Sequence, residues 1–308
     1  MDQLTPTQQK LLQQLRRDGE LVFDEGFVTH LTEQALAVVT DASERLGGEK
    51  LTVSKGWLSM VLGCEVKHVA DLPFSWSPAT AKGFVAHKAI ELAANWRGEP
   101  VPSELVDEAI ARFADQGTYR GDFIASLGEG DIAELRSLAV DRVTSFLQDF
   151  PPLPARSQPV FEASTRWTPP GTVQLMGRTD LVIGRPEGRS STKLIIDFKT
   201  GWRNGHHRDD LRFYALLETL VRAVPPRRLV TYYLDSCEAD VEDVTEGMLE
   251  SALARLAGAL DRHLELTEGR EPDHRPSGLC RWCALLPGCD VGRTHLSALD
   301  DDGTQGFD

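Results

Sequence analysis

Asp197 and Lys199 stand two residues apart at the end of an apolar run, Lys193–Gly201, and Asp180 stands beside a second such run, Leu181–Ile183. Short apolar runs bounded by turn residues predict strands, and side chains two apart on a strand point to the same face. If the two runs pair, two carboxylates and one ammonium meet at a point. Two carboxylates hold a hard divalent cation through oxygen. A cation held there activates water and neutralises charge on a phosphodiester, while the lysine orients the water or stabilises the developing anion. The pattern predicts metal-dependent phosphodiester hydrolysis. Singly, each aspartate reads as a strand-end cap and Lys199 as its ion-pair partner; together, beside Gly201, they read as a site.

A second cluster of chemistry lies near the C-terminus, where Cys280, Cys283 and Cys289 form Cys-x2-Cys-x5-Cys. Five cysteines in a chain expected in the cytoplasm argue against a disulfide framework, and three so closely grouped predict a metal or cluster site. Cys237, in a strand-like run, reads as a core cysteine.

These motifs resemble the PD-(D/E)XK nuclease superfamily, and within it the RecB-like branch, which includes the CRISPR-associated iron–sulfur exonucleases. The resemblance spans roughly Thr52 to Asp290. It implies a restriction-endonuclease-like α/β core, a mixed central sheet flanked by helices, with a helical region N-terminal to it. It also implies that Asp180, Asp197 and the backbone carbonyl of Phe198 hold Mg²⁺ or Mn²⁺, with Lys199 catalytic. Gly83 and His87 match a Gly-x-x-x-His helix motif whose histidine adds a nitrogen ligand, a donor that favours Mn²⁺; Glu91, one turn on, either supports His87 or faces solvent. Tyr214 matches the tyrosine of a Gln-x-x-x-Tyr motif, bracing Lys199 or touching DNA, but Asp210 replaces the glutamine. Glu162 reads as an outer acidic group or, more simply, a solvated strand-end residue. Cys64 stands where the iron–sulfur members carry an upstream cysteine, so that Cys64, Cys280, Cys283 and Cys289 would hold a [4Fe–4S] cluster, with a Cys₄ zinc site as the alternative.

The elements that must position these residues change in texture along the chain. Residues 1–50 read as helix, opened by Thr5 as N-cap and Pro6 in the first turn. Residues 51–159 form a helical region carrying Cys64 and His87, with helices near 79–97 and 103–149. The proline-rich stretch at 151–154 breaks it. Residues 160–295 form the nuclease core: short strands, a helix at 209–223, a strand at 229–235, a helix at 245–266 and the cysteine loop. Residues 296–308 read as an acidic disordered tail.

Net charge is −14 over 308 residues, yet residues 151–235 carry about +5, so the segment with the candidate site is the basic one. Arg178, Arg185, Arg189, Arg203, Arg208 and Arg212 surround the motif in sequence, as phosphate contact requires. No apolar run approaches the ~20 residues of a membrane span, and a cytoplasmic location is expected. No Gly-x-x-x-x-Gly-Lys-Ser/Thr loop is present, so a motor would come from a separate helicase. The resemblance implies an exonuclease on single-stranded or resected DNA in repair, recombination or defence. The alternatives are a nuclease-fold DNA-binding or assembly subunit with little turnover, and an endonuclease on structured DNA or RNA.

Overall fold

The structure, a computed structural model, describes residues 4–16, 19–72, 76–201 and 203–304. Helices α1 (Pro6–Leu15) and α2 (Glu25–Arg45) come first, then strand β1 (Leu51–Val53) and helices α3 (Lys55–Leu62), α4 (Glu65–Val69), α5 (Pro78–Ala93), α6 (Pro102–Asp115), α7 (Tyr119–Ser126) and α8 (Glu129–Asp149). Strands β2 (Val160–Trp167), β3 (Val173–Ile183) and β4 (Leu194–Lys199) follow, then α9 (His206–Arg222), β5 (Arg228–Tyr233), β6 (Glu238–Asp243), α10 (Glu246–Thr267) and α11 (Asp290–Thr304). The strands form one mixed sheet of six in the order β1-β3-β4-β5-β6, with β2 also paired to β3. This is the α/β architecture the sequence predicts.

The chain divides into two compact units that interleave along it, whereas the sequence reading divides it into consecutive stretches. The first holds residues 1–35, 75–167 and 176–253. Its centre is β4, buried on both faces, which is why its sequence is a continuous apolar run rather than an alternating one. β4 pairs antiparallel with β3 and parallel with β5. The parallel pair requires a crossover, and α9 supplies it. On one side, Leu181, Ile196, Phe198, Val230 and Tyr232 of the strands share a core with Val85, Ala89 and Ile90 of α5 and Leu135, Val143 and Phe146 of α8.

Local chemistry sets the ends of these elements. Ser77 and Thr80 form a reciprocal capping box at the start of α5, with Pro78 in its first turn. Thr5 and Gln8 do the same for α1, where the sequence predicts Thr5 as N-cap and Pro6 in the first turn. On α9, Glu218 is buried and paired with Lys193, and it accepts the Thr165 hydroxyl. β6 has no apolar run and is not foreseen. Ala239 and Val241 pack against the core, while Glu238 and Asp240 pair with Arg203 and Glu242 pairs with Arg212.

The second unit holds residues 36–74, 168–175 and 254–308. There β1 pairs parallel with the start of β3, from Leu51↔Val173 to Val53↔Leu175. The Ser43 hydroxyl accepts the Thr172 and Val173 N–H groups, and Gly171 is needed beside it, since a Cβ there would lie 2.6 Å from the Ser43 oxygen. Glu65 is fully buried and accepts from Arg270, Arg275 and the Asp273 N–H, with Arg262 also paired to it. The guanidinium groups hold its carboxyl below the usual range, against the cost of burial. The residues expected as a disordered tail continue α11 to Thr304; residues 305–308 lie outside the described residues.

Candidate metal centre

The site forms where β3 and β4 part. Their ladder runs from Ile183↔Leu194 to Leu181↔Ile196, and the next pair in that register is Asp180 opposite Asp197. One oxygen of Asp180 accepts the Phe198 N–H at 2.6 Å, standing in for a strand partner. The other lies 3.3 Å from His87 Nδ1. His87 reaches the strands from α5, with its ring edge-on to Phe198 at 5.9 Å between centroids. Gly83, one turn earlier, passes close to the sheet end: a Cβ there would meet the Thr200 hydroxyl at 3.3 Å.

The third member is Glu162 of β2. Donor atoms of His87, Glu162 and Asp180 all lie within 4.8 Å of one another. Glu162 has φ +50°, a left-handed conformation inside a strand, costing a non-glycine residue about 1 kcal/mol. It is half-buried and in the cluster, which corrects its reading as a solvated strand-end residue. Burial and then the Asp180 charge push its carboxyl above the usual range, against Arg178 and His87. For His87, burial pulls the pKa down, but Asp180, with Asp197 and Glu162 behind it, leaves it raised. Neighbouring carboxylates thus hold the proton on His87, and on Glu162 they add to the effect of burial. One imidazole nitrogen and two carboxylates form a donor set that suits a divalent ion such as Mn²⁺ or Mg²⁺.

Asp197 is not among the three converging donors. It is buried at 1% exposure, and its carboxylate lies 2.8 Å from the Lys199 ammonium. The same ammonium is 3.3 Å from Asp210 on α9, so Lys199 is held between two carboxylates. Asp210 therefore touches the lysine even though it departs from the glutamine pattern. Tyr214 is buried, at 4% exposure. Its ring lies against Gly177 of β3, where a Cβ would come within 2.5 Å of it. This close approach keeps α9 tight on the sheet and thereby positions Asp210. Glu91 pairs with Lys88 at 2.8 Å. The expected basic surface is largely neutralised: Arg178, Arg189, Arg203 and Arg212 pair with Glu162, Glu25, Glu238 and Glu242.

Cys64, Cys280, Cys283 and Cys289 are free thiols of the second unit. Among the described residues, no three of them gather within the 4.8 Å that joins the His87 group. A Cys₄ zinc site, with Zn–S bonds of about 2.3 Å, brings its sulfurs closer than that. Two of the sulfurs do share a pocket. The Ser277 N–H donates to Cys280 Sγ at 3.4 Å and the Gly292 N–H to Cys289 Sγ at 3.3 Å, and both sulfurs lie within 3.7 Å of where a Gly292 Cβ would stand. Backbone donors aimed at sulfur suit thiolates that hold a cluster. Cys237 is half-buried, and burial pushes its thiol up to about 11, as for an inert core cysteine.

The model of the PD-(D/E)XK nuclease superfamily matches residues 57–290. No curated protein matches the chain. Among solved structures, the crystal structure of SSO0001 is similar at 14% identity over 69% of this chain and 97% of that one, with a TM-score of 0.31. No helix among the described residues is long and apolar enough to cross a membrane.

Proposed function

The chain belongs to the PD-(D/E)XK nuclease superfamily, and on that premise we propose that it is a divalent-metal-dependent deoxyribonuclease of the cytoplasm, an exonuclease on single-stranded or resected DNA in repair, recombination or defence. The observation that carries this reading is the convergence of His87, Glu162 and Asp180 within 4.8 Å, in the same unit as the Asp197–Lys199 pair. His87, Asp180 and Glu162 hold the cation, and the Phe198 carbonyl is the further donor that the family pattern assigns. When bound, the cation supplies Lewis acidity and lowers the pKa of a water. Asp180 stays aimed at the site because its second oxygen is tied to the Phe198 N–H. Lys199, steadied by Asp197 and Asp210, offers an N–H to the attacking water or to a phosphate oxygen as charge builds on it. Tyr214 acts through packing.

A second reading, a nuclease-fold DNA-binding subunit with little turnover, is favoured by the pairing of four of the six flanking arginines with acids. The separating experiment is cleavage of end-labelled single-stranded, duplex and closed-circular DNA by anaerobically purified protein with Mn²⁺ or Mg²⁺, beside Lys199→Ala. Metal-dependent cleavage of linear strands that the variant lacks supports the exonuclease. Cleavage of the circle moves the assignment to an endonuclease, and binding without cleavage to the subunit. A helicase partner is required if added helicase alone allows duplex ends to be degraded.

The four cysteines are proposed to hold a [4Fe–4S] cluster whose role is structural, fastening Cys64 to the loop at 280–289. Iron and acid-labile sulfide in equal amounts would support it; zinc without sulfide would replace it with a metal site assembled on binding.

A further inference from the structure

On the same helix as His87, one turn earlier, Phe84 presents a half-buried ring. Trp76 stands edge-on to it at 5.5 Å, and Phe123 of α7 lies 6.3 Å from Trp76, tilted by 31°. Phe84 is anchored from below by the buried Phe113, at 4.8 Å. The exposed Arg120 guanidinium covers the outer side, 5.8 Å from the Trp76 ring and 5.4 Å from Phe84. Tyr119, beside it in sequence, is 83% exposed. All of these residues belong to the unit that carries the metal centre.

We infer that Trp76, Phe84 and Arg120 form a base-stacking subsite for single-stranded nucleic acid beside the metal centre; this rests on the nuclease reading and specifies its substrate. Aromatic faces with an arginine are how proteins hold unpaired bases without sequence preference, since every base offers a π-face and the guanidinium adds a cation–π contact. A solvated cation–aromatic cluster on any surface would serve stability alone; position distinguishes this one. Residues three apart on a helix share a face, and at ~1.5 Å rise per residue Phe84 lies about 4.5 Å along α5 from His87. A base resting on Trp76 and Phe84 therefore puts a neighbouring phosphate near the His87–Asp180 pair. In a duplex the bases are already stacked and paired, and the rings have nothing to receive.

The test is fluorescence anisotropy of the full chain with a short labelled oligothymidine, an abasic strand of equal length and a duplex, with metal chelated to prevent cleavage. Trp76→Ala and Arg120→Ala weaken oligothymidine binding by roughly ten- to a hundredfold, the loss of one base stack. They leave duplex binding unchanged and remove the preference for oligothymidine over the abasic strand, whereas Trp76→Phe retains it. Arg120 is exposed, so its variant tests the idea even if Trp76→Ala fails to fold. Wild-type affinity in both Arg120→Ala and a folded Trp76 variant overturns the proposal, as does equal weakening on duplex. Cleavage by wild type but not Lys199→Ala tests the nuclease reading separately: intact cleavage with unchanged strand affinity in the variants removes the subsite and leaves the enzyme, and lost stacking without any cleavage keeps the subsite and removes the enzyme.

Discussion

Asp180 accepts the Phe198 N–H through one carboxylate oxygen, at 2.6 Å, and faces His87 Nδ1 through the other, at 3.3 Å. The residue thus joins the end of a strand pair to a helix, and its structural and chemical roles can be separated. Asp180→Asn retains an oxygen for the Phe198 N–H but removes the charge. It is expected to melt within a few degrees of wild type while cleavage falls at least a hundredfold, the scale of losing a group that aims or holds a reacting centre. Asp180→Ala loses both, and its melting temperature falls as well. Thermal melts beside single-turnover rates check the split; equal melting of the two variants would sink it.

Metal affinity is expected to depend on pH. His87 and Glu162 both hold their protons more tightly than usual in the metal-free site, and a cation must displace those protons. Apparent Mn²⁺ affinity therefore rises as pH increases through the raised His87 pKa, and flattens above it. In His87→Gln the rise through the histidine range disappears, along with most of the affinity. Titration calorimetry at several pH values, with proton release read from buffers of different ionisation enthalpy, measures this. A pH-independent affinity in wild type would refute it.

Lys199 and its two carboxylates make a graded series. Lys199→Ala removes the donor and is expected to reduce cleavage by 10²–10⁴-fold, as for loss of a positioned proton or charge donor, with single-strand affinity intact. Asp210→Asn keeps a polar contact on the ammonium and costs less, about tenfold. Asp210→Gln restores the family's residue and is expected to match or exceed wild type. Rates measured at saturating metal decide the order.

Glu65 predicts an acid-sensitive second unit. Its folded pKa is depressed, so its contribution to stability is present above the ordinary glutamate value and is lost as pH falls through the depressed one. Glu65→Gln leaves Arg262, Arg270 and Arg275 around an uncharged group and is expected to cost about 3 kcal/mol, the low end for breaking a buried pair because the arginines reach water. The gap between wild type and variant in thermal melts is widest near neutrality and narrows in acid. A gap independent of pH would mean the carboxylate's charge contributes nothing.

The sequence made Asp180, Asp197 and Lys199 legible because strand alternation is a local rule, and the β3–β4 pair brings them to one end of the sheet as the pattern requires. His87 was legible only through the family resemblance, whose helix motif Gly83 and His87 match. Glu162 was not: its place depends on a positive φ within β2, which no residue pattern announces for a glutamate. Asp210 was set aside because it broke a pattern, although its contact needs only a carboxylate at that turn of α9. Tyr214 lies buried with Leu211, Leu217 and Leu220, the apolar stripe that helical spacing on α9 also allows. β6 stayed hidden because its charges are neutralised by arginines distant in sequence. The acidic stretch at 296–308 reads as disorder by composition, yet α11 continues into it as far as Thr304.

The left-handed backbone at Glu162 sets the stability of the fold against its chemistry. Glycine adopts φ +50° without the steric cost a glutamate bears, and its arrival would also remove a carboxylate crowded against Asp180. A laboratory lineage selected only to survive heat should therefore discard Glu162 early and grow hardier as it loses its cation. One selected to cut should keep it and recover the lost stability elsewhere in the chain.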